Sequence, residues 1–201
     1  MPKTTRTFVA IVIPEDRAAK LGKLQTAIAT EVIGVRWVEP KLMHATLAFL
    51  GDVIDTDLDR VCRAVAGAAA EFEPIELRLE GLGAFPRPQR PHSIWVGLTG
   101  PGLGALTDLA KIVAKALGEV GYAPSSKDRF SPHVTLGRVK KFEKDAAENL
   151  TALVTQHQSW VAGSFTVSDV VTYASTTTPQ GPIYTPLARA ALEGRKPQSR
   201  A

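Results

Sequence analysis

Two segments of this chain, His44-Ala-Thr-Leu and His133-Val-Thr-Leu, repeat one pattern inside apolar, strand-like runs. The elements around them recur in the same order: an apolar strand, an amphipathic helix, the histidine-bearing strand, a second helix and a further strand. Phe8 and Ser93, His44 and His133, and Ile75 and Phe165 are 85, 89 and 90 residues apart. Spacings that agree this closely imply an internal duplication. Two comparable units then each bury a sheet face against helices and are related by an approximate two-fold axis. The fold predicted is α+β and bilobal, with two antiparallel-rich sheets flanked by helices and the two His-x-Thr-Leu segments facing one another across a central cleft.

Leu21, Leu24 and Ile28 recur at helical spacing after Pro14 and Glu15, which predicts a helix closed before Gly34; further helices are predicted over residues 56–70, 103–117 and 144–154. Strands are predicted at residues 8–13, 43–51, 75–80, 94–98, 130–138 and 165–173, with a Gly-, Pro- and Arg-rich loop over 81–91. A chain of 201 residues with 44% hydrophobic content suffices for one sizeable core. Residues 1–189 read as a single bilobal domain and 190–201, poor in apolar residues, as a loose tail.

The single cysteine, Cys62, sits in a helical run and builds neither a disulfide framework nor a thiolate metal site, which fits a reducing, cytoplasmic location. The apolar stretch at residues 8–13 is too short for a signal-peptide core, and nothing approaches membrane-spanning length. A monomer without a membrane partner is expected. Basic residues outnumber acidic ones by 24 to 20, a mild excess that suits a polyanionic partner without requiring one.

Of four histidines, two have Thr at the second following position and Leu at the third. Each match has a chance probability of about one in a hundred, so the pair is a specific signal. In a strand, residues two apart share a face, so His44 lies beside Thr46 and His133 beside Thr135. Facing strands then put two imidazoles on opposite sides of one substrate atom, with two hydroxyls aimed between them. Transfer at phosphorus needs this arrangement: the incoming oxygen loses a proton as the departing oxygen gains one, and an imidazole titrating near pH 6.5 suits either role. The threonines suit non-bridging oxygens.

His92 and His157 lack the companion residues and are assigned to the surface. Asp52, Asp55, Asp57 and Asp59 flank a predicted helix start, where negative charge complements the macrodipole; no metal site and no cofactor is expected. Arg87, Arg90, Lys127, Arg129, Arg138, Lys140 and Lys141 fall in or near loops that flank the cleft and are candidates for contacting the phosphates of a polyanionic partner. Strict alternation from His133 points Arg138 away from the cleft, whereas a bulge at Gly137 turns it inward.

The segments His44-Ala-Thr-Leu-Ala-Phe-Leu-Gly and Phe130-Ser-Pro-His-Val-Thr-Leu-Gly-Arg138, with Gly83-Ala-Phe-Pro before Trp95-Val-Gly-Leu, resemble the two-histidine phosphoesterases, specifically the bacterial and archaeal RNA 2′,3′-cyclic phosphodiesterases also called 2′-5′ RNA ligases. The likeness covers about residues 6–189. It implies a bilobal fold and metal-independent hydrolysis of a 2′,3′-cyclic phosphate at an RNA end or in a cyclic nucleotide, together with a reversible 2′-5′ joining activity. It further implies His44 as proton donor, His133 as proton acceptor, and Thr46, Thr135 and Arg138 as phosphate contacts. Two other readings remain: a non-catalytic RNA- or nucleotide-binding module, which has no need of two proton-transfer groups, and a phosphodiesterase acting on 2′-5′ linked oligonucleotides or small cyclic nucleotides.

Overall fold

A computed structural model of the chain describes residues 2–124, 130–140, 144–179 and 181–195, with backbone alone for 144–147. The strands are β1 (Thr4–Val12), β2 (Val35–Trp37), β3 (His44–Ile54), β4 (Ile75–Phe85), β5 (Ser93–Thr99), β6 (His133–Val139), β7 (Val161–Val167), β8 (Asp169–Thr177) and β9 (Pro182–Ala191). The helices are α1 (Glu15–Ala29), α2 (Leu58–Ala70), α3 (Leu103–Glu119) and α4 (Lys144–Gln156). Two wholly antiparallel sheets result, one ordered β3-β1-β8-β9 and the other β2-β6-β5-β4-β7.

The duplication predicted from spacing is present as strand register. In the first sheet Val12 pairs with His44, Ala10 with Thr46 and Phe8 with Phe49; in the second, Gly97 pairs with His133, Trp95 with Thr135 and Ser93 with Arg138. An extra residue interrupts both pairings at the same place, Leu47 in β3 and Leu136 in β6, and β3 carries a second one at Leu50 that β6 lacks.

The third spacing has a different meaning. Phe165 lies in β7, which pairs directly with β4 in one sheet, Leu77 opposite Phe165, so Ile75 and Phe165 are neighbours rather than symmetry mates. The counterpart of β4 is β8: Phe85 pairs with Ser93 as Tyr173 pairs with Phe8. Each half thus sends two strands into the other half's sheet, β2 and β4 in one direction and β8 and β9 in the other, and the run expected as one strand over 165–173 breaks at Ser168 into β7 and β8, one per sheet.

Faces turned from the histidines carry Val9 and Ile11 in one sheet and Leu77, Leu79, Ile94, Val96, Val134 and Leu136 in the other, all fully buried. Leu21 and Ile28 of α1, Val61 of α2, Leu106, Leu109 and Val113 of α3, and Leu150 of α4 complete that core. Burying side chains of this size stabilises by about 1.5–3 kcal/mol each before the entropy of ordering them is counted. The outer strand β7 is not left bare, since Nε of Arg17 and Nζ of Lys20 on α1 donate to the carbonyls of Ser164 (2.9 Å) and Ala162 (3.1 Å). No helix among the described residues is long and apolar enough to cross a membrane.

Two expectations need correction. Residues 81–85, read as loop, extend β4, because a bulge at Gly81 (φ 76°) lets pairing with β5 continue. Residues 190–195, read as loose, are held: Ala190 and Ala191 finish β9, Leu192 is buried, and the N–H groups of Gly194 and Arg195 donate to the carbonyls of Phe72 and Ala70. Lys127, Arg129 and Lys141 lie outside the described residues.

Gly83 is required by packing rather than by backbone conformation, since a Cβ there would sit 2.3 Å from two ring carbons of Trp95. Gly83→Ala should therefore displace the indole and lower the unfolding free energy by about 1–3 kcal/mol. Gly67→Ala on α2, where a Cβ meets nothing within 4 Å, should instead be neutral or stabilising by up to about 1 kcal/mol. Urea titrations of the two variants check this; equal midpoints would contradict it.

Candidate active site

His44 opens β3 directly after a 3₁₀ turn at Pro40–Leu42, and His133 opens β6 after Ser131 and Pro132. Each imidazole turns back on its own chain. Nδ1 of His44 is 2.7 Å from the carbonyl oxygen of Leu42, and Nδ1 of His133 is 2.7 Å from that of Ser131. A carbonyl only accepts, so Nδ1 carries the hydrogen in both rings and Nε2 is the nitrogen left to exchange a proton.

The rings are held from the sides by aromatic residues. Around His44 stand Phe8 and, edge-on, Tyr184, at centroid distances of 5.0 and 5.2 Å; around His133 stand Phe85, edge-on at 5.0 Å, and Trp95 at 6.1 Å. The Cα atoms of β3 and β6 approach within 8 Å, bringing the two histidine-bearing strands together across the gap between sheets. Thr46 and Thr135 share a face with the histidines because their direct partners, Ala10 and Trp95, alternate with Val12 and Gly97.

Arg138 joins them. The extra residue Leu136 resets the alternation of β6, so Arg138, opposite Ser93, falls on the face of His133 and Thr135. Its charge is felt by His44, His133 and Tyr184 alike. The bulge is pinned from beneath: the carbonyl of Leu136 accepts from the Val38 N–H (2.8 Å) and from Nε2 of Gln25 (2.7 Å), whose second hydrogen goes to the carbonyl of Val38 (2.8 Å).

Burial pushes the His44 imidazole below its ordinary value; the Leu42 carbonyl opposes this, and the charges of Arg138 and His133 reinforce it. Burial likewise lowers His133, with Arg138 adding to the effect and the Ser131 carbonyl opposing it. Both rings therefore favour the neutral form in the free protein, and a bound phosphate anion would favour the charged form.

The family model described as "LigT like phosphoesterase" matches twice in succession, over residues 11–95 and 96–184. The chain belongs to the LigT-like phosphoesterase family. The two matches divide it where the strand register shows its halves to meet. Among relatives named RNA 2′,3′-cyclic phosphodiesterase, that of Aquifex aeolicus is 31% identical over 91% of this chain and 95% of its own length. That of Aeropyrum pernix is 38% identical over 88% and 98%. A crystal structure of a Thermus thermophilus protein superposes with a TM-score of 0.77 at 26% identity, covering 94% of this chain and 98% of that one. The Escherichia coli LigT structure complexed with 3′-AMP shares the fold, with a TM-score of 0.76 at 24% identity over 94% and 99%.

On the neighbouring strands β3 and β6 the structure places His44 with Thr46 on one face of β3, and His133 with Thr135 and Arg138 on one face of β6. His92 has an exposed side chain just before β5, its carbonyl accepting from the Val139 N–H, and His157 bonds the Leu153 carbonyl at the end of α4. Asp55 and Asp57 take Thr5, Tyr122 and Arg60 as partners around the start of α2. The sequence reading missed Tyr184 and Gln25. Gln25 carried a signal, a polar residue on the apolar stripe of Leu21, Leu24 and Ile28.

Because a neighbouring cation disfavours imidazolium, removing it should raise both histidines. Proton NMR titration of the free protein should place both below 6.5, and Arg138→Gln should move both upward while leaving a residual depression from burial. Titration curves unchanged by the substitution would contradict the placement of Arg138.

Proposed function

We propose that this chain hydrolyses the 2′,3′-cyclic phosphodiester at an RNA end, or in a cyclic nucleotide, to a 2′-phosphomonoester, with His133 accepting a proton and His44 donating one. One observation carries the reading: two imidazoles, each tied by Nδ1 to the carbonyl two residues back, offer Nε2 to one cleft from matching positions of a repeated strand pair. The names of the Aquifex aeolicus and Aeropyrum pernix relatives support the substrate class.

In the step proposed, a water oxygen bonds to phosphorus as Nε2 of His133 takes its proton. The bond from phosphorus to the 3′ oxygen breaks, and that oxygen takes the proton on Nε2 of His44. The histidines finish with exchanged protonation states and re-equilibrate with solvent. Hydroxyls of Thr46 and Thr135 and the Arg138 guanidinium hold the non-bridging oxygens as charge develops on them. With a 5′ hydroxyl in place of water, the same step joins two strands through a 2′-5′ linkage. One chain supplies every group, so the enzyme is proposed to act as a monomer, and its cysteine usage fits the cytoplasm.

His44→Ala and His133→Ala should each lower kcat by about 10²-fold to 10⁴-fold, with smaller losses for Thr46→Ala and Thr135→Ala. The double histidine variant should lose far less than the product of the single losses. Strictly multiplicative losses would mean that the two rings serve different steps.

Both proton transfers are assigned to imidazoles, so turnover of an RNA with a 2′,3′-cyclic phosphate should persist in EDTA, and phosphorus NMR should find a 2′-phosphate. Loss of turnover that Zn²⁺, Mg²⁺ or Mn²⁺ restores would contradict the mechanism. A 3′-phosphate product would reverse the roles of the two histidines or the direction in which the ribose binds.

A further inference from the structure

The duplicated strand pairs place different residues at one equivalent position. Arg138 stands opposite Ser93 in β6, and Phe49 stands opposite Phe8 in β3. The extra residue at Leu47 resets the alternation of β3 as Leu136 resets that of β6, so Phe49 falls on the face of His44 and Thr46. There Phe49 is 46% exposed, while its neighbours Leu47 and Ala48 are buried. An isolated exposed phenylalanine is ordinary on a protein surface. This one borders a phosphoesterase cleft, and the Arg6 guanidinium lies 4.8 Å from its centroid. Among the described residues Arg6 forms no ion pair.

We propose that Phe49 and Arg6 form the platform on which the nucleobase beside the reacting phosphate stacks, a subsite that rests on the function proposed above. Three residue steps separate Thr46 from Phe49, about 10 Å at roughly 3.3 Å per residue, which is within the reach of one nucleoside from its phosphate. The phenyl and guanidinium planes accept any base, because every base has a π face, so the subsite is tolerant of sequence. Exchange of the two equivalent positions also fixes direction: the anionic phosphate is drawn toward Arg138 on β6 and the base toward Phe49 on β3. The symmetric scaffold then holds its substrate in one orientation, which a mechanism with a distinct donor and acceptor needs.

The test is isothermal titration of the whole chain with adenosine 2′-monophosphate and with the same ribose phosphate bearing hydrogen in place of the base. Phe49→Ala and Phe49→Leu should weaken nucleotide binding about 5-fold to 100-fold, the loss expected of one stacked base, and leave the baseless compound unchanged. Phe49→Trp should restore the nucleotide. Variants that weaken both ligands equally, or neither, overturn the platform, whether or not the enzyme hydrolyses cyclic phosphates. A wild-type chain that binds nucleotide through Phe49 but turns over no cyclic phosphate supports the platform and removes the hydrolytic reading.

Discussion

The bulged antiparallel pair, formed once by β1 and β3 and again by β5 and β6, sets where every group of the cleft points. A strand without the extra residues Leu47 and Leu136 would turn Phe49 and Arg138 into the apolar layer, where an unpaired guanidinium costs several kcal/mol. With them, Thr46 and Phe49 reach the face of His44, and Thr135 and Arg138 reach the face of His133. The bulge in β6 is not left to its own strain: its carbonyl accepts two hydrogen bonds, one from a buried glutamine. A buried acceptor left unmade would cost about 1–3 kcal/mol, so Gln25 and the bulge stabilise one another.

On that repeated frame the two lobes differ where chemistry requires a difference. The rings of His44 and His133 are fixed by the same Nδ1 contact and stand in similar aromatic surroundings, which makes them equivalent in tautomer. Charge breaks the equivalence. Arg138 belongs to one lobe, Tyr184 and Phe49 to the other, so a substrate with an anionic end and an aromatic end meets unlike walls. The exchange of β2 and β4 for β8 and β9 ties these walls together, because neither sheet is completed by its own half of the chain.

Much of this was legible in the sequence, for identifiable reasons. The spacing of His44 from His133 and of Phe8 from Ser93 reported a true register, because duplicated strands that keep their partners keep their offsets. The offset of Ile75 from Phe165 misled, because which sheet a strand joins is decided by tertiary packing, and β4 and β7 have similar apolar alternation whether paired or equivalent. The strand β9 went unread because Pro182 and Pro186 look like breakers; at a sheet edge, a missing N–H that would face solvent breaks no ladder bond. Arg138 was left between two orientations, since Leu136 reads as the next apolar residue of a regular strand and nothing local marks it as unpaired.

The central claim is that both Nε2 atoms act on one phosphorus from opposite sides. Its most direct test is a crystal structure of the protein with a nucleoside 2′,3′-cyclic vanadate, whose five-coordinate vanadium stands in for the phosphorus of the transition state. The account predicts one apical oxygen within hydrogen-bond distance of Nε2 of His44 and the other within hydrogen-bond distance of Nε2 of His133, with Arg138 on an equatorial oxygen. A vanadate that engages only one histidine, or both histidines through the same oxygen, would contradict it.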